Sequence, residues 1–203
     1  SIFAPLNQIT TIFKLAGIVI CLFYVVRNFS RDYFLLLAMF CTCLADIILA
    51  DNNTNPIGIM VFIITQLLHL YRLDGEHLGK FILGFTVFAI AILIFDAIFE
   101  VIPILFVACT LYVTLLVANV IASAKWYRRE PKNPRAIFAL SGFILFTCCD
   151  FCTGISYLSL VAVLPSLFYH PANFFVWLFY YPSQVLISNS SKTNASSQIP
   201  PKA

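Results

Sequence analysis

Long apolar runs separated by short polar stretches dominate the sequence. A membrane-spanning helix needs about 20 predominantly apolar residues, and seven runs of about that length follow one another along the chain. The runs are continuous and do not alternate between polar and apolar positions, which predicts helices and not membrane strands. They cover residues 10–26, 33–50, 57–73, 79–95, 101–122, 136–158 and 172–188.

This pattern predicts an all-α fold, a polytopic transmembrane helical bundle of about seven spans over residues 1–188. The apolar stretch 159–168 contains Pro165 and is followed by Pro171. We interpret it as either a re-entrant or interfacial segment or an eighth short helix. Residues 189–203 are rich in Ser, Asn and Pro, a composition that predicts a disordered polar tail.

The composition excludes a water-soluble fold. Hydrophobic residues make up 61% of the chain, charged residues 10%, and the mean hydropathy is +0.94. A soluble domain carries roughly a quarter charged residues, because much of its surface must face water. The function is therefore expected inside a lipid bilayer or at its face.

The cysteines do not predict a disulfide framework or a metal site. All seven lie within apolar runs, where they act as small hydrophobic side chains. Cys149 and Cys152 form a Cys-x-x-Cys spacing, but the second pair of ligands that a zinc site needs is lacking. We predict no disulfides, no metal and no cofactor.

Basic residues fall on alternate loops, which predicts an orientation. The loops between them carry acidic residues and a histidine but no Lys or Arg. Because basic loops stay in the cytoplasm, the N-terminus is expected outside and the C-terminal tail inside. Basic loops of this kind attract anionic lipid headgroups, so membrane lipids are expected partners and nucleic acid is not. Nine of the twelve basic residues are involved: Arg27, Arg31, Arg72, Lys80, Lys125, Arg128, Arg129, Lys132 and Arg135.

A few ionisable side chains interrupt the apolar runs and are the candidate functional residues. Each costs at least about 2.5 kcal/mol inside hydrocarbon, so each should face the bundle interior. The antiparallel order of the spans places Lys14, Asp46 and Asp150 at similar depth, with Gln66 and Tyr180 nearer mid-bilayer. Two carboxylates sharing one cavity favour one protonated and one ionised member, the arrangement that general acid–base catalysis uses.

Each of these residues also has a purely structural interpretation. Asp46 and Asp150 can serve as hydrogen-bonding links between helices. His69 lies three residues from the predicted cytoplasmic end of its span, so we expect it to reach towards the interface. Asn119 is expected to make an interhelical hydrogen bond, and Gln184 can do the same.

Six short motifs occur in an order that resembles the YhhN-like membrane proteins, the family that includes lysoplasmalogenase. Three positions depart from the family pattern: Ala45 stands for Gly, Gln66 for His and Cys149 for Ser. The resemblance further implies a family helix before Lys14 that we expect to be missing here, which turns eight spans into seven. The matched positions are Lys14, Ala45, Asp46, Gly58, Gln66, His69, Tyr112, Ala122, Ala124, Gly142, Phe146, Cys149, Asp150, Tyr180, Tyr181 and Gln184.

The resemblance implies an enzyme that hydrolyses the vinyl ether bond of lysoplasmalogens to a fatty aldehyde and glycerophospho-ethanolamine or -choline. Such a reaction needs one carboxylic acid and one carboxylate, roles that fall to Asp46 and Asp150. The alternatives are a proton-coupled transporter or lipid-binding protein that uses the same carboxylates, and a receptor or assembly subunit. The residues expected to bind or position the substrate are Lys14, Gln66, Tyr180, Tyr181 and Gln184.

Overall fold

The fold is a bundle of α-helices. A computed structural model describes residues 4–28, 32–50, 55–76, 78–99, 104–161 and 163–191. These residues contain seven α-helices and no strand, which confirms the all-α prediction. The helices are α1 (Ala4–Arg27), α2 (Tyr33–Leu49), α3 (Pro56–Asp74), α4 (Leu78–Phe99), α5 (Ile104–Arg129), α6 (Pro134–Leu160) and α7 (Tyr169–Ser188).

The stretch 159–168 does not form an eighth helix in its described part. Helix α6 continues to Leu160, and a single 3₁₀ turn, Ser166–Phe168, leads directly into α7. The two ends of this stretch, which the sequence left open, are thus the end of α6 and the turn that leads into α7. Of the predicted disordered tail, 189–203, the first residues are described and ordered: Asn189 accepts a hydrogen bond from the Tyr24 hydroxyl, and Ser190 accepts one from Arg72. Residues 192–203 lie outside the described residues.

Capping side chains fix where three helices begin. The Asp32 carboxylate accepts a hydrogen bond from Leu35 N at 3.1 Å at the start of α2. Asn55 and Asn133 accept similarly at the starts of α3 and α6, each followed by a proline in the first turn. A cap side chain satisfies a backbone N–H that the helix leaves unpaired, and proline suits the first turn because it has no N–H to satisfy.

Six of the seven helices form a closed ring. Going round it, α1 packs against α2, α2 against α3, α3 against α5, α5 against α6, α6 against α7, and α7 against α1. Helix α4 lies outside this ring, with limited contact to α5 and α3. Its central segment, 81–95, has no ionisable or amide side chain, so it has no such group to bring into the interior.

The outer surface of the bundle is apolar. Large hydrophobic side chains such as Phe13, Phe23 and Phe151 are more than 60% exposed, which suits contact with lipid tails and not water. By length and apolarity, three described segments are sufficient to cross a bilayer: Pro56–Asp74, Val107–Arg129 and Pro134–Leu160. The count of seven crossings stays a prediction.

Polar side chains tie together the end of the bundle that carries the basic residues. Arg72 Nη1 lies 3.4 Å from Asp32 Oδ2 and 3.2 Å from the Ser190 carbonyl, and Nη2 lies 2.9 Å from Ser190 Oγ. Lys125 pairs with Asp74 at 3.2 Å. The ends of α3, α5 and α7 therefore meet the start of α2, as the alternating charge predicts. Which side of the membrane this basic end faces stays a prediction.

Two glycines of α6 are expected to respond oppositely to alanine. A Cβ on Gly142 would lie 2.8 Å from Ile187 Cγ1 and 3.1 Å from the backbone Ile187 N, so α7 would have to move. A Cβ on Gly154 meets nothing within 4 Å. Gly142→Ala should lower the free energy of unfolding by about 1–3 kcal/mol. Gly154→Ala should raise it by roughly 0.5–1 kcal/mol through helix propensity.

Denaturation by SDS in mixed micelles, followed by far-UV circular dichroism, measures both changes. Because the two variants carry the same substitution on the same helix, their difference isolates the contact with α7. Equal responses at Gly142 and Gly154 would contradict the close approach of the two helices.

Candidate functional site

An ion pair between a buried Asp46 and a partly exposed Lys14 lies where α1, α2 and α7 meet. Asp46 is only 1% exposed. Lys14 Nζ lies 2.6 Å from its Oδ1, and the Tyr180 hydroxyl donates a hydrogen bond to its Oδ2. The same ammonium lies 5.0 Å from the centroid of the Tyr180 ring. One cation and one hydroxyl thus stabilise Asp46 as a carboxylate.

The second carboxylate has different surroundings. The Tyr112 hydroxyl of α5 donates a hydrogen bond of 2.5 Å to Asp150 Oδ2 on α6. Within the described chain, no Lys or Arg lies at ion-pair distance from Asp150. A phenol can donate a hydrogen bond to either form of a carboxyl group, and it supplies no compensating positive charge.

The two carboxylates belong to one electrostatic system. Asp150 is close enough to Lys14 and Asp46 to interact with both charges. Aromatic rings line the space between them: Phe146 lies 6.5 Å from Tyr180 and 6.4 Å from Phe62, measured between ring centroids. Phe62 in turn lies 6.0 Å from Tyr112. The carboxylates therefore share an interior with apolar walls, where charges interact strongly.

The site takes polar side chains from every helix of the ring and from none of the described side chains of α4. Lys14, Asp46 and Asp150 lie about 13 to 15 residues from the basic end, roughly 20 Å at the rise of an α-helix. This agrees with the similar depth predicted from the sequence. The contributions are Lys14 from α1, Asp46 from α2, Gln66 from α3, Tyr112 and Asn119 from α5, Asp150 from α6 and Tyr180 from α7.

The remaining predicted substrate-binding residues lie at the edge of this site. Gln66 is 0% exposed and lies beside Tyr112. Tyr181 packs its ring against Gly17, at the contact between α7 and α1. Gln184 is buried one helical turn beyond Tyr180. Neither Tyr181 nor Gln184 is joined to a carboxylate by a hydrogen bond in the described part of the chain.

The interpretation of His69 was wrong. This side chain is 3% exposed, and its ring meets Phe143 edge-on at 5.1 Å between centroids, so it packs inside the bundle. Helix α3 continues five residues past His69 to Asp74, and Arg72 on the next turn is itself buried. The membrane interface is therefore farther from His69 than was predicted by counting residues from the end of the apolar run.

Three residues that the fold brings to the site were not among the catalytic or substrate-binding residues predicted from the sequence. Tyr112 and Phe146 appeared only as positions of the family resemblance, and Asn119 only as an interhelical hydrogen bond. Asn119 does make such a bond, to Gln66 of α3. No group of three or more His, Cys, Asp or Glu side chains that could hold a metal ion occurs among the residues described.

A helical bundle with an apolar exterior and a Lys–Asp pair whose carboxylate is buried in the interior is a helical membrane protein. More particularly, the chain belongs to the YhhN family, whose model matches residues 9–191 and so most of the chain. The matched region contains every residue of the site. No curated protein and no solved structure matches the chain significantly.

Proposed function

We propose that this protein is a membrane-embedded hydrolase that cleaves the vinyl ether bond of lysoplasmalogens. Membership of a family linked to lysoplasmalogenase supports the proposal. The observation that carries it is the unequal pair of carboxylates: Asp46 forms an ion pair with Lys14, whereas Asp150 accepts a hydrogen bond from a phenol and has no described Lys or Arg at ion-pair distance. A general acid and a general base need such different surroundings.

We infer the two roles from these surroundings. Lys14 compensates the charge of an ionised Asp46, so Asp46 is the base. Asp150 has no such cation, and an ionised carboxylate in a low-dielectric interior is unfavourable. Asp150 is therefore the group that carries the proton and acts as the acid.

The reaction follows from these roles. Asp150 transfers its proton to the β carbon of the vinyl ether, and the electron pair of the double bond forms the new C–H bond. The resulting oxocarbenium ion is attacked at its α carbon by water, whose proton passes to Asp46. The hemiacetal then collapses to aldehyde: its hydroxyl proton passes to the Asp150 carboxylate while Asp46 gives its proton to the leaving glycerol oxygen. This releases glycerophospho-ethanolamine or -choline and restores both carboxyl groups.

The chain's own residues stabilise the cationic intermediate. The ionised Asp46 supplies a negative charge that is already in place before the cation forms. The faces of Phe146 and Tyr180, whose centroids are 6.5 Å apart, add cation–π attraction. The single alkenyl chain of the lipid reaches the site sideways between apolar helices.

Purified protein in detergent micelles should release fatty aldehyde from a 1-alkenyl lysophospholipid without any pH gradient. The matched saturated 1-alkyl ether should not be cleaved, because it has no double bond to protonate. In D₂O the aldehyde should carry one deuterium at the carbon next to the carbonyl, since the transferred proton comes from solvent through Asp150. Mass spectrometry of the trapped aldehyde measures both results.

The same purified protein distinguishes a proton-coupled transporter from the hydrolase. Reconstituted into vesicles, a transporter would take up lysophospholipid only when a pH gradient is imposed, and it would leave the vinyl ether intact. No aldehyde from folded protein would contradict the hydrolase, and gradient-dependent uptake would support transport.

A further inference from the structure

Two buried amides form a hydrogen-bonded unit next to the carboxylates. Gln66 and Asn119 are both 0% exposed. Asn119 Nδ2 lies 2.9 Å from Gln66 Oε1, 3.0 Å from the Gln66 carbonyl and 3.1 Å from the Leu115 carbonyl. Because the two backbone neighbours can only accept hydrogen bonds, the atom between them must be the donating NH₂ group and not the amide oxygen.

The orientation of Asn119 fixes that of Gln66. Since Oε1 faces the Asn119 donor, Nε2 occupies the other end of the amide, beside the Tyr112 hydroxyl. The Tyr112 oxygen beside Nε2 can serve as acceptor for one of its N–H groups, and no described protein atom is in full hydrogen-bond geometry with Nε2. The amide NH₂ has two N–H groups, and a buried N–H without an acceptor is costly and rare in native proteins. At least one of the two is therefore expected to bind an oxygen that the described part of the protein does not supply.

We propose that Gln66 Nε2 donates a hydrogen bond to the free 2-hydroxyl oxygen of the lysophospholipid glycerol, and that Asn119 positions Gln66 for this contact. The identity of the ligand rests on the proposed function. The oxygen-binding character of the amide pair rests on the geometry alone. Gln66 is thus a specificity-determining residue, and Asn119 is a positioning residue that acts through it.

The chemistry of the substrate selects this oxygen. The ether oxygen becomes positive in the oxocarbenium ion, and a donor there would oppose the reaction. The attacking water gives its proton to Asp46, whereas Gln66 lies on the side of Tyr112 and Asp150. The phosphate carries a charge that belongs near the interface. The 2-hydroxyl is neutral and lies one carbon from the ether-bearing carbon of the glycerol.

A pair of ligands that cannot be cleaved tests this inference by binding alone. The first is a saturated 1-alkyl-ether lysophosphatidylethanolamine, and the second is its 2-deoxy counterpart. Titration calorimetry in micelles should show that wild type prefers the hydroxyl-bearing ligand by about tenfold, the value of one net hydrogen bond to a buried group. Gln66→Leu should bind the two ligands equally.

A double-mutant cycle tests the role of Asn119. Asn119→Ala should reduce the tenfold preference in the wild-type background and have no further effect in Gln66→Leu, because it acts only through that amide. Thr65→Val is the matched control. Thr65 is buried on the same helix, and its hydroxyl bonds only to the Val61 carbonyl, so the preference should be retained.

The ratio of the two affinities within one protein is insensitive to partial loss of folded material. A wild type without preference, or an Asn119→Ala variant that keeps it, would overturn the inference. If the wild type shows the preference but releases no aldehyde from vinyl ethers, the result supports the amide site and contradicts the proposed hydrolase. Folded wild type that binds neither ligand overturns both proposals.

Discussion

Asp150→Asn should reduce kcat/KM for aldehyde release by about 10²–10⁴-fold, the usual value of a positioned general acid. The amide is nearly isosteric and can still accept the hydrogen bond from Tyr112, but it has no acidic proton to give to the vinyl ether. Binding of the saturated alkyl ether should be nearly unchanged, because that ligand does not use the proton. Asp46→Asn should also lower turnover, since water then lacks its base.

Asp74→Asn is the matched control for this prediction. Asp74 also pairs with a lysine, Lys125, at 3.2 Å, but at the basic end of the bundle. The variant should retain wild-type turnover. Asp150→Asn protein that is monodisperse, helical and more than about a tenth as active as wild type would exclude Asp150 as the acid.

The contacts at the basic end of the bundle bear on the choice between hydrolysis and transport. At the basic end, Arg72 joins Asp32 to Ser190 through buried hydrogen bonds. A transporter must open a path to both faces of the membrane, so this network would have to break in every cycle. A hydrolase whose substrate comes sideways from the lipid requires no such opening. This difference favours the enzyme.

The helices themselves were largely predictable from the chain. Each of the seven apolar runs corresponds to one α-helix. The helix ends differed from the predicted ends where polar residues are part of the helix. Helix α5 extends to Arg129, beyond the predicted end at 122, because Lys and Arg are good helix formers. Likewise α6 begins at Pro134 and not at 136, because the Asn133 cap sets its start.

The arrangement of the helices was less accessible. That Lys14, Asp46 and Asp150 lie at one depth follows from counting residues along antiparallel spans. Counting does not show which side of a helix faces which neighbouring helix. For this reason the hydrogen-bond partner of Asn119 could not be predicted. The position of α4 outside the ring did have a signal, since its segment 81–95 contains no ionisable or amide side chain.

The departure at position 66 is the point at which sequence and structure inform each other most. Family resemblance alone identifies Gln66 as a replacement for a proton-transferring His. In the fold, Asn119 holds one end of this amide, and the other end is a donor next to Tyr112. A role in orienting substrate needs only that donor, so the replacement is compatible with catalysis by the two carboxylates.

Lys14→Met should lower the free energy of unfolding by about 3 kcal/mol, the usual penalty for leaving a buried charge without its partner. The Asp46 side chain is fully buried, and after the change only the Tyr180 hydroxyl contacts it. Uptake of a proton by Asp46 limits the loss, since a neutral acid is less costly than an isolated charge. SDS titration in mixed micelles measures the change.

The double variant Lys14→Met/Asp46→Asn should recover most of that stability, because neither partner is then a buried unpaired charge. Lys125→Met, at the pair with Asp74 whose lysine side chain is 49% exposed, should cost less than about 1 kcal/mol. Equal losses for Lys14→Met and Lys125→Met would contradict the buried pair. Since the double variant lacks the proposed base, it should be stable and still release little aldehyde, which separates the contribution of Asp46 to catalysis from its contribution to folding.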